Sequence, residues 1–238
     1  MDVYNYVEDH LLTATILRPR PEATVVGGGG HPAKGVFEIS GGFNVFVKFE
    51  TGVVNGSPMV RNEAAAWGVA KLAGWTEVVP PTVLRDIGSP ITGTTGLGSV
   101  QLFYPGAQNA PNIACLPTQQ VWQAAAFDYI VSQSDRGGQN WIGVTGPVIA
   151  TSTAGMPVHL KLIDHGYAFG LNGLSTNSVF IDTRRGQELP LDVFRAVERL
   201  VALAAGSELP DLLSADALSQ MLDRARRLLT EGAIPTGN

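Results

Sequence analysis

The segment FDYIVSQSDRGGQNWIG, residues 127–143, interrupts two hydrophobic runs with a short polar loop. The apolar spacing before the loop predicts a helix with Thr118 as its N-cap, and the residues after the loop read as a strand. The loop itself contains Asp135, Arg136 and Asn140. Any fold of this chain has to place these side chains where a helix ends and a strand begins, which suits a tight turn or a site for a metal ion and a phosphate.

Charged residues are scarce, so each one carries more information than usual. They make up 16% of the 238 residues, whereas soluble domains average roughly 25%. The formal net charge is −5, which argues against nucleic acid as a partner because nucleic-acid binding needs clustered Lys and Arg. The single cysteine, Cys115, excludes an internal disulfide and a Cys-based zinc cluster.

The first residues, MDVYNYVEDHLL, are acidic where a secretory leader is basic. No apolar run approaches the roughly 20 residues that a membrane-spanning helix requires. We therefore expect no transmembrane segment and a cytoplasmic, soluble protein. The sequence leaves the oligomeric state open.

The first half of the chain reads as a sheet with one helix. Gly41 and Gly42 predict the turn of a hairpin, and in its second strand Lys48 projects from the face opposite Val45 and Val47. A helix over residues 59–74 follows, Ala-rich and ending at Gly74. The other strands predicted here are residues 13–21, 22–26, 35–39, 80–87 and 98–104.

The second half reads as mostly helical. Residues 158–166, VHLKLIDHG, predict a buried strand. Two amphipathic helices follow, with Phe194, Val197, Val201 and Ala204 on one face of the first, and with Leu218, Met221, Leu222, Ala225 and Leu229 on one face of the second. We predict an α+β chain of two lobes, with a small, mainly β N-lobe over residues 1–103 and a mostly helical C-lobe over residues 104–238.

The polar residues occur in an order that suits phosphoryl transfer. Lys48 is a fixed cation for phosphate, and Glu63 on the following helix is placed to anchor it by an ion pair. Asn140 and Asp164 offer the hard oxygen ligands that Mg²⁺ prefers. Asp135 is left to orient or deprotonate an attacking hydroxyl. Each residue also has an ordinary structural interpretation, and the combination is what favours a site.

The stretches SDRGGQNWIG and LKLIDHGYAFG resemble the catalytic and metal-binding loops of the phosphatidylinositol 3- and 4-kinase-like superfamily. They are most similar to the type II phosphatidylinositol 4-kinases and the HipA-type bacterial kinases, which share Asp-Arg, four residues, Asn, and a later Ile-Asp-x-Gly. The similarity extends more loosely to VFVKFE, RNEAAAWGVAKLAGW and VQLFYPGA, over roughly residues 25–170. The resemblance implies a two-lobed protein-kinase-like fold that uses ATP with Mg²⁺, or alternatively Mn²⁺.

The resemblance also implies roles for particular residues. Asp135 would be the catalytic aspartate, Asn140 and Asp164 the metal ligands, and Lys48 the phosphate-binding lysine paired with Glu63. Residues near Leu102–Phe103 would form the hinge that holds adenine through backbone groups. The loop GGGGHPAK departs from a standard kinase glycine loop, and within it Gly29, Gly30, His31 and Lys34 are the candidate phosphate contacts.

Three polar residues near this predicted site receive a structural interpretation instead. We expect Arg136 to tie the catalytic loop to a carboxylate or carbonyl group, and Asp128 to act as a local anchor. His165 stands where typical protein kinases have Phe, and we expect it to pack or hydrogen-bond locally.

Arg184 and Arg185 are candidates for contact with an anionic substrate.

The function that these patterns favour is a kinase that transfers the γ-phosphate of ATP to a hydroxyl group, with protein Ser/Thr as the first expectation. A phosphoinositide or small-molecule kinase on the same fold is an alternative. A nucleotide-binding pseudokinase, or a nucleotidyltransferase that acts on protein, is a further alternative.

Overall fold

A strand-rich half precedes a helix-rich half along the chain. The computed structural model describes residues 3–20, 34–88, 95–137, 139–145, 158–171 and 176–237. Its strands are β1 (Ile16–Pro19), β2 (Lys34–Ile39), β3 (Asn44–Phe49), β4 (Thr82–Gly88), β5 (Thr95–Leu102), β6 (Gln108–Asn109), β7 (Trp141–Thr145) and β8 (Val158–Leu162). Its helices are α1 (Val3–Thr13), α2 (Ser57–Ala73), α3 (Thr118–Ile130), α4 (Val179–Asp182), α5 (Leu191–Leu203), α6 (Leu209–Leu212) and α7 (Ala215–Glu231).

Strands β1 to β5 form an antiparallel sheet in the order β1-β2-β3-β5-β4. The predicted hairpin between β2 and β3 is confirmed, and its turn needs glycine because Gly41 and Gly42 have φ values of 90° and 84°. The register sets Lys34 of β2 opposite Lys48 of β3. The two lysines therefore lie side by side at the same end of the hairpin.

The side chains of β3 alternate as predicted. Val45, Val47 and Phe49 are buried in a core cluster that also contains Leu11 of α1, so Lys48 projects from the other face. Helix α1 was not predicted, and the mainly β lobe therefore has a second helix. Only one α1 residue, Leu11, is fully buried, so its own apolar pattern is weak and tertiary contacts decide its conformation.

Helix α2 begins two residues before the predicted boundary and ends where the sequence places its cap. Gly74 adopts the left-handed conformation, with φ of 74°, and its N–H group donates to the carbonyls of Ala70 and Lys71. Arg199 of α5 donates to the carbonyls of Leu72 and Ala73. The end of α2 is thus held by its own cap and by a helix of the other lobe.

The second sheet contains β6, β7 and β8 in that order, and α3 packs against β8. The prediction of Thr118 as an N-cap is wrong by one residue. Pro117 is the N-cap of α3, because its carbonyl accepts the first helical hydrogen bond, from the Val121 N–H at 3.1 Å. Thr118 is the first residue inside the helix.

Both amphipathic helices are confirmed, but the buried face of α5 is rotated relative to the prediction. Val193, Ala196, Val197 and Leu200 are buried, because α5 packs between α2 and α7 and both neighbours cover it. In α7 the fully buried residues are Met221, Ala225 and Leu228.

The described chain is a two-lobed α+β fold with an antiparallel-sheet N-lobe and a helical C-lobe. The predicted strand over residues 22–26 lies outside the described residues, and β1 is shorter than the predicted strand over residues 13–21. The lobe boundary between residues 103 and 104 stays a prediction. Among the described helices, none has the length and apolar content needed to cross a bilayer.

Candidate active site

Lys48 is the buried cation of the site. Its side chain is 8% exposed, and its Nζ atom donates to the Glu63 carboxylate and, at 2.8 Å, to Oδ1 of Asp164. Burial by itself lowers the pKa of Lys48, but the two carboxylates outweigh burial and raise the pKa above its ordinary value. Lys48 therefore stays an ammonium group between two anions that come from different elements.

Helix α2 presents Glu63 to both lobes. The side chain of Glu63 is buried, and while one oxygen accepts from Lys48, the other accepts the backbone N–H of His165 at 3.0 Å. The preceding residue, Asn62, donates from Nδ2 to the carbonyls of Gly166 and Ala168, at 3.0 and 2.9 Å. Two consecutive residues of α2 thus fasten the segment that follows β8.

Asp164 has an unusual backbone conformation. Its φ of 57° lies in the left-handed region, which Asp tolerates better than most residues. Gln133 donates to its carbonyl at 3.1 Å, and its side chain is 39% exposed. The charge on Lys48 holds the pKa of the Asp164 carboxyl below its usual range. Asp164 is therefore an ionised carboxylate whose side chain is open to solvent.

Asn140 and Asp164 lie at neighbouring strand ends. Trp141, the first residue of β7, pairs with Leu162, the last residue of β8. One step beyond that pair, the Ile163 N–H donates to the Asn140 carbonyl at 3.0 Å. Asp164 is the next residue, so the antiparallel register brings these two predicted metal ligands to the same end of the small sheet.

Asp135 is exposed at the other end of the same loop. Asn140 donates from its side-chain nitrogen to the Asp135 carbonyl, and its backbone N–H donates to the Gly137 carbonyl at 3.2 Å. The loop is therefore closed on itself by Asn140. This arrangement keeps the Asp135 carboxylate in solvent, within reach of an incoming molecule.

Arg136 forms the buried interior of the loop. It is fully buried, and its guanidinium donates to both carboxylate oxygens of Asp128 at 3.1 to 3.2 Å. It also donates to the carbonyls of Asn140 and Ile163. Asp128 accepts a further hydrogen bond from the Ser178 hydroxyl at 2.6 Å. The structural roles expected of Arg136 and Asp128 are confirmed.

The remaining predicted contacts, with phosphate and with adenine, lie only partly within the described residues. Lys34 lies close enough for its charge to contribute to the lowered pKa of Asp164. The N–H groups of Leu102 and Phe103 donate to the carbonyls of Pro81 and Asn44, both at 2.9 Å. Any backbone contact of Leu102 or Phe103 with a base would therefore use a carbonyl group. Gly29, Gly30 and His31 lie outside the described residues.

Sequence reasoning missed two of the buried polar groups that hold the site together. Asn62 is one of them, and a signal for it exists, since it is a polar residue next to Glu63 in an Ala-rich helix. Ser178 is another, and it doubles as the N-cap of α4. No pattern in the sequence pairs Ser178 with Asp128, because the contact joins residues that are far apart in the chain.

The donor set fits a divalent metal ion that also binds phosphate. The described residues contain no group of three or more His, Cys, Asp or Glu side chains placed to hold a metal ion. They do place the Asp164 carboxylate and the Asn140 carboxamide at the same end of the small sheet, beside the buried Lys48 ammonium group. Mg²⁺ is typically bound by one or two protein oxygens, with phosphate and water completing its coordination.

No protein-family model matches the chain, and no curated protein matches it either. Solved structures do share its fold. A Golgi casein kinase superposes with a TM-score of 0.61 at 15% identity, over 96% of this chain and 74% of the other. The same kinase with bound Mn/ADP has a TM-score of 0.59 at 15% identity, over 96% and 75%. A Fam20 protein from hydra, with sugar, has a TM-score of 0.60 at 14% identity, over 97% and 88%.

The fold is thus that of the protein-kinase-like class. In chain order it has a strand lysine, a helix glutamate, a loop with Asp and Asn, and an aspartate that follows a strand. The closer likeness to type II phosphatidylinositol 4-kinases or HipA-type kinases stays a prediction.

Proposed function

We propose that this chain is an ATP-dependent and divalent-cation-dependent kinase that phosphorylates a hydroxyl group of a protein. One observation supports the proposal most: Lys48 is buried between Glu63 and Asp164, while the strand register brings Asn140 next to Asp164. A buried cation beside oxygen donors that are open to solvent is the arrangement that a polyphosphate and its metal ion require.

Each residue of the site has a separate role in the proposed phosphoryl transfer. Asn140 and Asp164 would hold the metal ion, which neutralises charge on the phosphates. Lys48 would contact phosphate oxygens, with Glu63 fixing its position. Asp135 orients the acceptor hydroxyl and takes its proton while the oxygen–phosphorus bond forms and the bond between the γ-phosphorus and ADP breaks. The proton then leaves Asp135 to solvent, so the products are ADP and a phosphate ester.

A protein acceptor is favoured over a membrane lipid by the surroundings of the two basic residues that were candidates for contact with an anionic substrate. The guanidinium of Arg184 stacks over Trp122, 4.9 Å from the ring centroid. Arg185 is paired with Asp182 at 2.9 Å. Recognition of an anionic headgroup typically uses a cluster of about four to eight Lys or Arg side chains, whereas this surface offers two, of which one stacks on a ring and one lies beside a carboxylate. The structural likeness to a casein kinase agrees with a protein acceptor.

The test is incubation of the purified chain with ATP, Mg²⁺ or Mn²⁺ and generic protein acceptors such as casein, followed by intact-mass analysis of acceptor and chain. We expect addition of phosphate, absent from the Asp135→Ala variant. Addition of AMP would instead indicate a nucleotidyltransferase. Metal-dependent nucleotide binding without any product would indicate a pseudokinase, and either outcome would overturn the proposal.

A further inference from the structure

His165 has more hydrogen bonds than a packing residue needs. The ring is fully buried and lies directly after Asp164 in the chain. Its Nδ1 atom is 3.0 Å from a guanidinium nitrogen of Arg136, and its Nε2 atom is 3.1 Å from the Leu162 carbonyl oxygen. Both ring nitrogens therefore have polar partners inside the protein.

The chemistry of the two partners determines the tautomer of the ring. A guanidinium group only donates hydrogen bonds, so Nδ1 of His165 has to accept from Arg136. A backbone carbonyl only accepts, so Nε2 has to carry the proton that is donated to Leu162. The ring is thus the neutral form with its hydrogen on Nε2, and this assignment follows from the contacts alone.

Through Arg136, the His165 ring is connected to both predicted metal ligands. The guanidinium that donates to His165 also donates to the carbonyls of Asn140 and Ile163, the residue before Asp164. The backbone N–H of His165 donates to Glu63 at 3.0 Å. The ring therefore supports the Arg136 guanidinium, which spans both strand ends, and the His165 backbone N–H reaches the carboxylate that anchors Lys48.

We propose that His165 is a positioning residue whose two ring hydrogen bonds hold Arg136, and with it the Asn140 and Asp164 backbones, in the geometry that binds the metal ion. This inference rests on the proposed function for its catalytic consequence. The hydrogen-bonded arrangement can be tested without catalysis.

The competing interpretation is that His165 fills space. Its ring does pack edge-on against Phe127, with the ring centroids 5.3 Å apart. Two substitutions separate the interpretations. Phe keeps an aromatic ring but cannot accept from Arg136 or donate to Leu162, so the buried guanidinium loses a partner. Asn is smaller, but its side-chain oxygen occupies about the position of Nδ1 and can accept from Arg136, while it is too short to replace Nε2 as the donor to Leu162.

The measurement is the affinity of the folded chain for Mn²⁺ together with a non-hydrolysable ATP analogue, by titration calorimetry. For His165→Phe we expect affinity for Mn²⁺ to fall by about tenfold or more, the range found when the partners of metal ligands are removed. For His165→Asn we expect a change within about threefold. Near-UV circular dichroism checks that each variant is folded.

Two results would overturn the proposal. One is wild-type Mn²⁺ affinity in a folded His165→Phe variant, which would mean that the ring only packs. The other is an equal loss in the Phe and Asn variants, which would mean that the hydrogen bond accepted from Arg136 is not what supports Mn²⁺ binding.

Nitrogen-15 NMR of the histidine side chains tests the arrangement in the wild-type chain without nucleotide. The chain has 4 histidines, and the signal missing from His165→Asn assigns the one of interest. We expect an unprotonated Nδ1 and a protonated Nε2. The opposite tautomer, or rapid exchange between the two, would contradict the proposal. If the wild-type chain binds no nucleotide, the proposed function fails, whereas the NMR result still decides whether the ring holds Arg136.

Discussion

At the scale of single residues, the Lys48 ammonium group is the centre of the site's electrostatics. The sequence predicted its pairing with Glu63, and the structure confirms that contact. The direct contact with Asp164 was not predicted. It follows from the fold, because two carboxylates from α2 and from the end of β8 surround one cation that has little access to water.

The two aspartates of the site are expected to fail in different ways. Asp164→Ala removes a predicted metal ligand, so metal-dependent ATP binding should fall below detection in calorimetry. Asp135→Ala removes an exposed carboxylate that is proposed to contact the acceptor, so ATP binding should stay within about twofold while transfer should fall by 10² or more. Wild-type turnover in both variants would show that the site is assigned wrongly.

At the scale of secondary-structure elements, helix α2 is fixed to the C-lobe and not only to the sheet. Arg61 near its start donates to the Asp211 carbonyl at 3.0 Å. Lys71 near its end pairs with Glu8 of α1 at 2.6 Å and with Glu208 at 2.7 Å. Arg199 then covers the last carbonyls. We infer that Glu63 is held in the position that pairs with Lys48, whether or not a nucleotide is bound.

Removal of the Arg199 side chain tests this restraint on α2. Arg199→Ala should lower the free energy of unfolding by about 1 kcal/mol, because two carbonyls at the helix end lose a charged donor. Arg195→Ala, at an exposed position of the same helix, is the matched control and should change it by less than about 0.5 kcal/mol. Equal effects in urea denaturation would mean that Arg199 does not restrain α2.

Strand β8 contains a second buried lysine, which predicts a specific pH dependence. Lys161 donates to the Glu77 carbonyl and lies over the Tyr104 ring, 5.4 Å from its centroid. Burial lowers its pKa to about 8. Between that pH and the ordinary lysine value of about 10.4, the unfolded chain binds a proton that the folded chain does not, so stability contributed by this group rises with pH.

The comparison with Lys161→Met isolates this effect from other titrating groups. From pH 7 to pH 10 the wild-type chain should gain stability relative to the variant, by up to about 3 kcal/mol. Urea denaturation at a series of pH values measures the difference. A constant difference across this range would show that the Lys161 amine is solvated in the folded chain.

At the scale of the whole molecule, the sequence predicted most elements and missed the contacts between them. Periodicity identified β3 and the two long C-lobe helices, because each buries a regular face. Helix α2 was recognised from its Ala-rich composition and its Gly74 cap, since residues 62–70 are buried on all sides. It could not identify α1, whose conformation depends on tertiary contacts such as the donation from Arg85 to the Leu12 carbonyl at 3.0 Å. The buried face of α5 was predicted in part: Val197 and Ala204 are buried as expected, while the packing of neighbouring helices also buries Val193, Ala196 and Leu200.

In the candidate site too, the sequence indicates individual residues but not the contacts between them. Asp135, Asn140 and Asp164 follow a recognisable spacing, so the sequence alone was enough to select them as candidate site residues. The meeting of Asn140 and Asp164 depends on the register of β7 and β8, which local sequence does not specify. The structural roles of Arg136 and Asp128 were also predicted, but the hydrogen bond from Ser178 to Asp128 joins residues 50 positions apart, so only the folded chain reveals it.

The most direct test of the central claim is crystallography of the chain with Mn²⁺ and a non-hydrolysable ATP analogue, with the metal located by anomalous scattering. We predict one Mn²⁺ ion coordinated by side-chain oxygens of both Asn140 and Asp164, with Lys48 against a phosphate oxygen. A metal ion bound elsewhere, or a nucleotide that leaves Lys48 untouched, would contradict it.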